Sequence, residues 1–222
     1  MPQKIDEEFW KVRRCLRAPI PEIYFAAHLL DRAVSAHLAG NAAEAEDLIR
    51  CADTAEIRNW TESLWGSQRD NPDQPKYKRF RAIQNAPAHL PQGERLEKRM
   101  PGKRERSEII ERYGRHCVFC GIPLIGEGVR KRMNELYPEA AYWEHSNARQ
   151  HSALQCMWLQ FDHLLPHSRG GDNDVSNVVV TCAPCNYGRG DHTIEELGLL
   201  DPRLTPHYQT SWDGLERLLN QD

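Results

Sequence analysis

The sequence predicts an α+β fold, with a helical N-terminal unit followed by a small strand–turn–strand–helix unit closed by metal-binding cysteines. Three observations carry this. Apolar residues recur at helical spacing through residues 20–65. Four of the seven cysteines form two Cys-x-x-Cys pairs, Cys117/Cys120 and Cys182/Cys185. Running into the second pair, FDHLLPHSRGGDNDVSNVVVTCAPCN (residues 161–186) combines an Asp-His pair, two adjacent glycines and a run of β-branched residues. The expected divisions are a helical unit over 1–75, a basic connecting segment over 76–104, the cysteine-bounded unit over 105–200 and a helical extension over 201–222.

The elements follow in order. Pro21 suits a first helical turn, and Gly40 is placed to end that helix. Ile23, Phe25, Ala26, Leu29, Leu30, Ala33, Val34 and Leu38 form its broad apolar stripe. Asn41 caps a second helix, and Asp53 a third that runs to Trp65. The first two helices are similar to a helical-hairpin repeat, but no second copy follows. GSQRDNPDQP (66–75) reads as a connection, and NAPAHLPQGE (85–94) as a second loose stretch. A helix starts near Lys103 or Ser107 and stops at Gly114. More helix is expected between Val129 and Pro138. LQCMWLQFDH reads as a strand ending at Asp162-His163, and Val178–Thr181 as its partner. Helices are expected from about Thr193 and from Trp212 to Leu219.

Composition narrows the class. A chain of 222 residues with 40% hydrophobic residues can bury a core. No apolar run approaches the roughly 20 residues a membrane helix needs. The start, MPQKIDEEFW, lacks the basic and apolar regions of a secretory signal, so a soluble, cytoplasmic protein without membrane contact is expected. The net charge of −3 is unevenly spread. Residues 76–115 carry twelve Lys or Arg against five Glu, a surplus of seven that leaves the remainder at −10 by subtraction. Such a stretch fits a local nucleic-acid footprint, or a solvated helix and linker.

In a cytosolic chain, paired cysteines favour metal over disulfides. Cys117, Cys120, Cys182 and Cys185 can supply four thiolates to one tetrahedral Zn2+, a closed set that suits structure rather than chemistry. Cys15, Cys51 and Cys156 read as isolated small residues, buried or partly buried rather than reactive.

The segment between the pairs carries the chemistry. His163 can be neutral near physiological pH and take a proton from water. The Asp162 carboxylate and the Asn186 amide oxygen suit a hard divalent cation. Gly170-Gly171 permits a reversal that returns the strand from Asn177 beside Asp162-His163. A base beside an oxygen-lined cation site suits metal-assisted phosphodiester hydrolysis.

Residues 105–200 resemble the HNH endonuclease family. The resemblance rests on Asp162-His163, Pro166-His167-Ser168-Arg169-Gly170-Gly171, Asn177, Cys182-Ala183-Pro184-Cys185 and Asn186, with Cys117/Cys120 as a flanking knuckle. It implies a zinc-stabilised ββα-metal fold in a His-Asn-Asn variant. By position, His163 resembles the general base, while Asp162 and Asn186 resemble ligands of the catalytic cation. Asn177 resembles the residue that holds the loop and orients the base. Arg189 falls where many members have Lys and is expected to contact phosphate or to help stabilise developing charge. The amide at Asn186 favours Mg2+ or Mn2+ as the catalytic ion. The substrate implied is DNA, and the implied setting is bacterial restriction or phage defence. The gap from Cys120 to Asp162 is long for the family and is expected to hold an inserted helix. His167 and His192 are expected as loop and surface residues.

Two other readings share these residues. One is a non-catalytic, zinc-stabilised nucleic-acid-binding module, against which the Asp162, His163 and Asn186 trio argues. The other is a nuclease subunit silent until a partner docks on the helical N-terminal unit, through which a homodimer is also conceivable. The alternative role for that unit is a scaffold that caps the nuclease core.

Overall fold

A computed structural model describes residues 11–65, 80–207 and 210–220. The expected connection over 66–75 and the first basic residues of the following segment lie outside the described residues. Within them the chain forms α1 (Pro21–Leu38), α2 (Ala42–Cys51), α3 (Ala55–Trp65), α4 (Lys103–Tyr113), α5 (Glu127–Leu136), α6 (Ser152–Cys156), β1 (Leu159–His163), β2 (Val178–Cys182) and α7 (Ala183–Arg189).

The helical unit forms as its pattern demands, except that Phe25 of the expected stripe is exposed and Leu38 only partly buried. Pro21 occupies the first turn of α1, where a missing N–H costs nothing. Gly40 follows in the left-handed region at φ 81°. Asn41 caps α2, its side chain accepting from the Glu44 amide at 3.3 Å. The cap of α3 differs from the expected one. Thr54 takes that role, accepting from the Ile57 amide at 3.3 Å. Asp53 instead accepts from the Ser152 amide at 2.8 Å and the Tyr142 hydroxyl at 2.7 Å. A carboxylate that satisfies two distant donors outcompetes a local cap.

These bonds belong to the inserted segment between Cys120 and Asp162, which lies between the N-terminal helices and the strands. Ile125 pairs with the 157–159 backbone, donating to Met157 O at 2.8 Å and accepting from the Leu159 amide at 2.9 Å. The insertion holds α5 as expected, and also α6, which replaces the first half of the expected strand. An apolar run such as LQCMW fits a buried helix or a strand equally until its partners are known. His151 caps α6, its Nδ1 accepting from the Leu154 amide at 3.3 Å and its Nε2 donating to Ile49 O at 2.9 Å. The bond accepted at Nδ1 requires the neutral ring, since a protonated Nδ1 could not accept.

Burial holds the His151 pKa below its ordinary value. Unfolded, the ring titrates near about 6.5 and binds a proton that the folded ring refuses. Its contribution is whole above that pH and is lost as pH falls below it, by at most about 1.4 kcal/mol per pH unit. Urea unfolding at about pH 7.5 and about pH 5.5 should show a larger loss for wild type than for His151→Asn. An equal loss in both would remove His151 from the acid response.

β1 and β2 pair antiparallel, with Leu159 opposite Cys182, Asp162 opposite Val179 and His163 opposite Val178. All five residues of β2 are buried, which matches the unbroken VVVTC run. The first cysteine knuckle docks on the same strand, with the Val118 amide donating to Val180 O at 3.1 Å. Gly170 turns the intervening loop at φ 86°. Gly171 is required for closeness instead, because a Cβ there would lie 1.8 Å from Leu165 O.

Of two expected helices one forms only a turn and the other only a 3-10 turn. Thr193 and Glu196 form reciprocal caps, at 2.8 and 3.3 Å, around a turn that Gly198 ends at φ 63°. Near the C-terminus, Gly214 (φ 72°) and Leu215 (φ 64°) both sit in the left-handed region. They leave only a 3-10 turn over Glu216–Leu219. No helix among the described residues is long and apolar enough to cross a membrane.

The core is continuous from the helical unit into the strands, and runs from Ile23, Leu30 and Trp60 through Leu154 to Val180. α3 packs on both α6 and α7. Gly188 of α7 permits this approach, since a Cβ there would lie 3.2 Å from Leu64 O and 3.1 Å from the Leu16 side chain.

Candidate active site

The four paired cysteines converge. Cys182 closes β2, Cys185 lies in the first turn of α7, and Cys117 and Cys120 form the docked knuckle. Their sulfurs all lie within 4.8 Å of one another, and all four residues are buried. The Cys120 and Cys182 sulfurs are 3.6 Å apart. Tetrahedral zinc–thiolate bonds of about 2.3 Å would set sulfurs roughly 3.8 Å apart, so the donor set fits that ion. Bare thiols in this space cannot share four charges. Burial opposes ionisation of Cys117, but hydrogen bonds from Cys120, Cys182 and Cys185 outweigh it and hold that thiol well below the ordinary range. Burial pushes Cys182 up to about 12. A divalent cation removes this conflict.

Asp162 and His163 end β1, where the pairing with Val179 and Val178 fixes their backbone. Both are buried, yet both line a cleft of about 830 Å3. Asn186, on α7, lines the same cleft. The structure thus brings together the three residues expected to form the base and the cation site. An oxygen set of one carboxylate and one amide suits a hard ion.

Arg189 lies behind them. Its Nε donates to Asp162 Oδ2 at 2.8 Å, and one terminal nitrogen donates to both Asp162 Oδ1 and His163 O. The other donates to His192 O at 2.6 Å and Leu164 O at 3.4 Å. The side chain is 1% exposed. This differs from the expected phosphate contact, because the guanidinium is committed to protein acceptors. Burial pushes the Asp162 carboxyl above its ordinary range, and the Arg189 charge opposes that rise.

Asn177 pins the loop between the strands. Its Oδ1 accepts from the Leu165 amide at 2.9 Å, while its Nδ2 donates to Leu165 O at 3.2 Å and Asp172 O at 2.9 Å. It does not touch His163. The side chain that does is Asn173, whose Oδ1 lies 2.9 Å from His163 Nε2. Burial lowers the His163 pKa, which favours the neutral ring.

Sequence reasoning missed Asn173, and missed that residues 80–100 strap the cleft. Leu90 donates its amide to Ser168 O at 2.8 Å, His167 Nε2 to Leu96 O at 2.8 Å and Asn173 Nδ2 to Lys98 O at 2.7 Å. The strap contributes His89, Arg95 and Arg99 to the cleft lining. His167, expected as a loop residue, anchors the strap. Its proximity to Asp162-His163 in the signature was the available signal. His192 packs its ring on Phe80, with centroids 4.5 Å apart.

A family model described as HNH endonuclease matches residues 155–199, which span β1, the pinned loop, β2 and α7. Searches of curated proteins and of solved structures returned no match. Residues 155–199 therefore form an HNH endonuclease domain in the C-terminal part of the chain, and the four-cysteine cluster, to which they contribute Cys182 and Cys185, fits zinc knuckles.

Proposed function

We propose that the protein is a divalent-metal-dependent endonuclease that hydrolyses DNA phosphodiester bonds. The observation that supports this most is the convergence of His163, Asp162 and Asn186 on one cleft. In this reading His163 takes the proton of the attacking water. Asp162 and Asn186 would hold Mg2+ or Mn2+, which when bound supplies Lewis-acid stabilisation to the phosphate and leaving oxygen. Arg189 fixes the Asp162 carboxylate from behind, and Asn177 keeps the loop closed under His163. Cys117, Cys120, Cys182 and Cys185 hold structural Zn2+. Arg95 and Arg99 in the lining offer phosphate contacts that position DNA without reading its sequence. Four reduced thiols suit a cytoplasmic setting. Bacterial restriction or phage defence is the context we assign, on family resemblance alone.

Incubation of the zinc-loaded protein with supercoiled plasmid tests this, with Mg2+, Mn2+ or EDTA. Nicking is expected with either ion and not with EDTA. His163→Ala should lower it by about 100- to 10,000-fold. A mutant that cuts at the wild-type rate would remove His163 as the base. A folded wild type inert with both ions would overturn the nuclease reading.

A further inference from the structure

We propose that Asn173 is a positioning residue that locks His163 in the Nε2–H tautomer, so that Nδ1 is the atom that accepts the proton from water. The inference rests on the reading of His163 as the base.

The argument is one of hydrogen-bond capacity. The Asn173 amide has two ends, and each faces a partner. One end lies 2.7 Å from Lys98 O, a backbone carbonyl that can only accept. That end must be the NH2 group. The opposite end, 2.9 Å from His163 Nε2, is then the amide oxygen, which can only accept. Nε2 must therefore carry the hydrogen. A neutral imidazole has one N–H, so Nδ1 holds the free lone pair. Among the described residues Nδ1 makes no hydrogen bond to protein, and the ring lines the cleft.

The Lys98 carbonyl is what removes the ambiguity. An asparagine facing His163 alone could present either end and would select neither tautomer. The strap therefore sets the polarity of a bond within the active site, although the Lys98 side chain plays no part in it. His167, which donates to Leu96 O at 2.8 Å, holds the strap two residues away. Orienting partners of this kind typically change activity about 10- to 100-fold when removed.

Two measurements test the proposal. The first is long-range 15N–1H correlation of the histidine rings in the zinc-loaded, full-length protein without a catalytic ion, with the His163 signal assigned by its loss in His163→Gln. We expect the pattern of an Nε2–H ring. An Nδ1–H pattern, or an even mixture, would overturn the proposal. This readout does not need activity, so it stands even if the wild type fails to nick plasmid. The second is the plasmid assay on Asn173→Leu and Asn173→Asp. Leucine removes the acceptor, and kcat should fall about 10- to 100-fold with KM unchanged. Aspartate keeps an acceptor toward Nε2 although it loses the donor to Lys98 O, and it should restore part, not all, of that loss. A fall carried by KM, or aspartate no better than leucine, would assign Asn173 a merely structural role.

Discussion

Cys182→Ser is expected to abolish cooperative folding of the zinc-loaded protein rather than to weaken it. Cys182 ends β2 and is fully buried with Cys117, Cys120 and Cys185. Zinc binding to such sites is worth about 10–16 kcal/mol, which is comparable with or greater than the total stability of an ordinary domain, about 5–15 kcal/mol. Three sulfurs and a hydroxyl around a site built for four thiolates forfeit much of that. Circular dichroism melts with zinc analysis would read the effect. Chelation of the wild type should give the same featureless melt. Cys51→Ser is the control, because Cys51, expected to be at least partly buried, is exposed and outside the cluster, and it should stay within about 0.5 kcal/mol of wild type. A Cys182→Ser protein that keeps both its metal and its melting temperature would show that the cluster does not clamp the fold.

Arg189→Leu should cost about 3–5 kcal/mol, because it leaves the buried Asp162 carboxylate without its counter-charge. It also strips the hydrogen bonds on His163 O and His192 O. Asp162→Asn in the same chain removes the stranded charge. The double variant should therefore be more stable than the two single losses predict, with a coupling of about 1–3 kcal/mol. Arg189→Lys should fall between, since an ammonium cannot bind both carboxylate oxygens in a fork. Urea titration of zinc-loaded samples would measure all four. Strict additivity would mean that Asp162 is satisfied by something other than Arg189.

Much of the site was legible because its chemistry is local in sequence. Asp162 and His163 are adjacent, each cysteine pair spans four residues, and the glycines of the loop stand side by side. The N-terminal helices were equally plain, since their apolar residues repeat at the helical period and Pro21, Gly40 and Asn41 mark ends. What stayed hidden depends on partners far along the chain. Lys98 and Asn173 are 75 residues apart, and nothing in NAPAHLPQGE or RLEKRM signals that its backbone faces an active site. Asp53 looked like a cap because the donors it serves lie 89 and 99 positions later, at Tyr142 and Ser152. Arg189 looked like a phosphate ligand because sequence cannot show that its guanidinium is buried. The helix expected from Thr193 failed for a different reason, because its N-terminal caps were present but Gly198 cut it to a turn.

The close approach at Gly188 bears on engineering. α7, which carries Asn186, rests directly on the Leu64 backbone of α3. The HNH hairpin is thus not a cassette to be excised and grafted elsewhere, because its rear wall is supplied by Leu16 and Leu64 of the N-terminal helical unit. Any chimera must carry both ends, or rebuild that wall around a glycine.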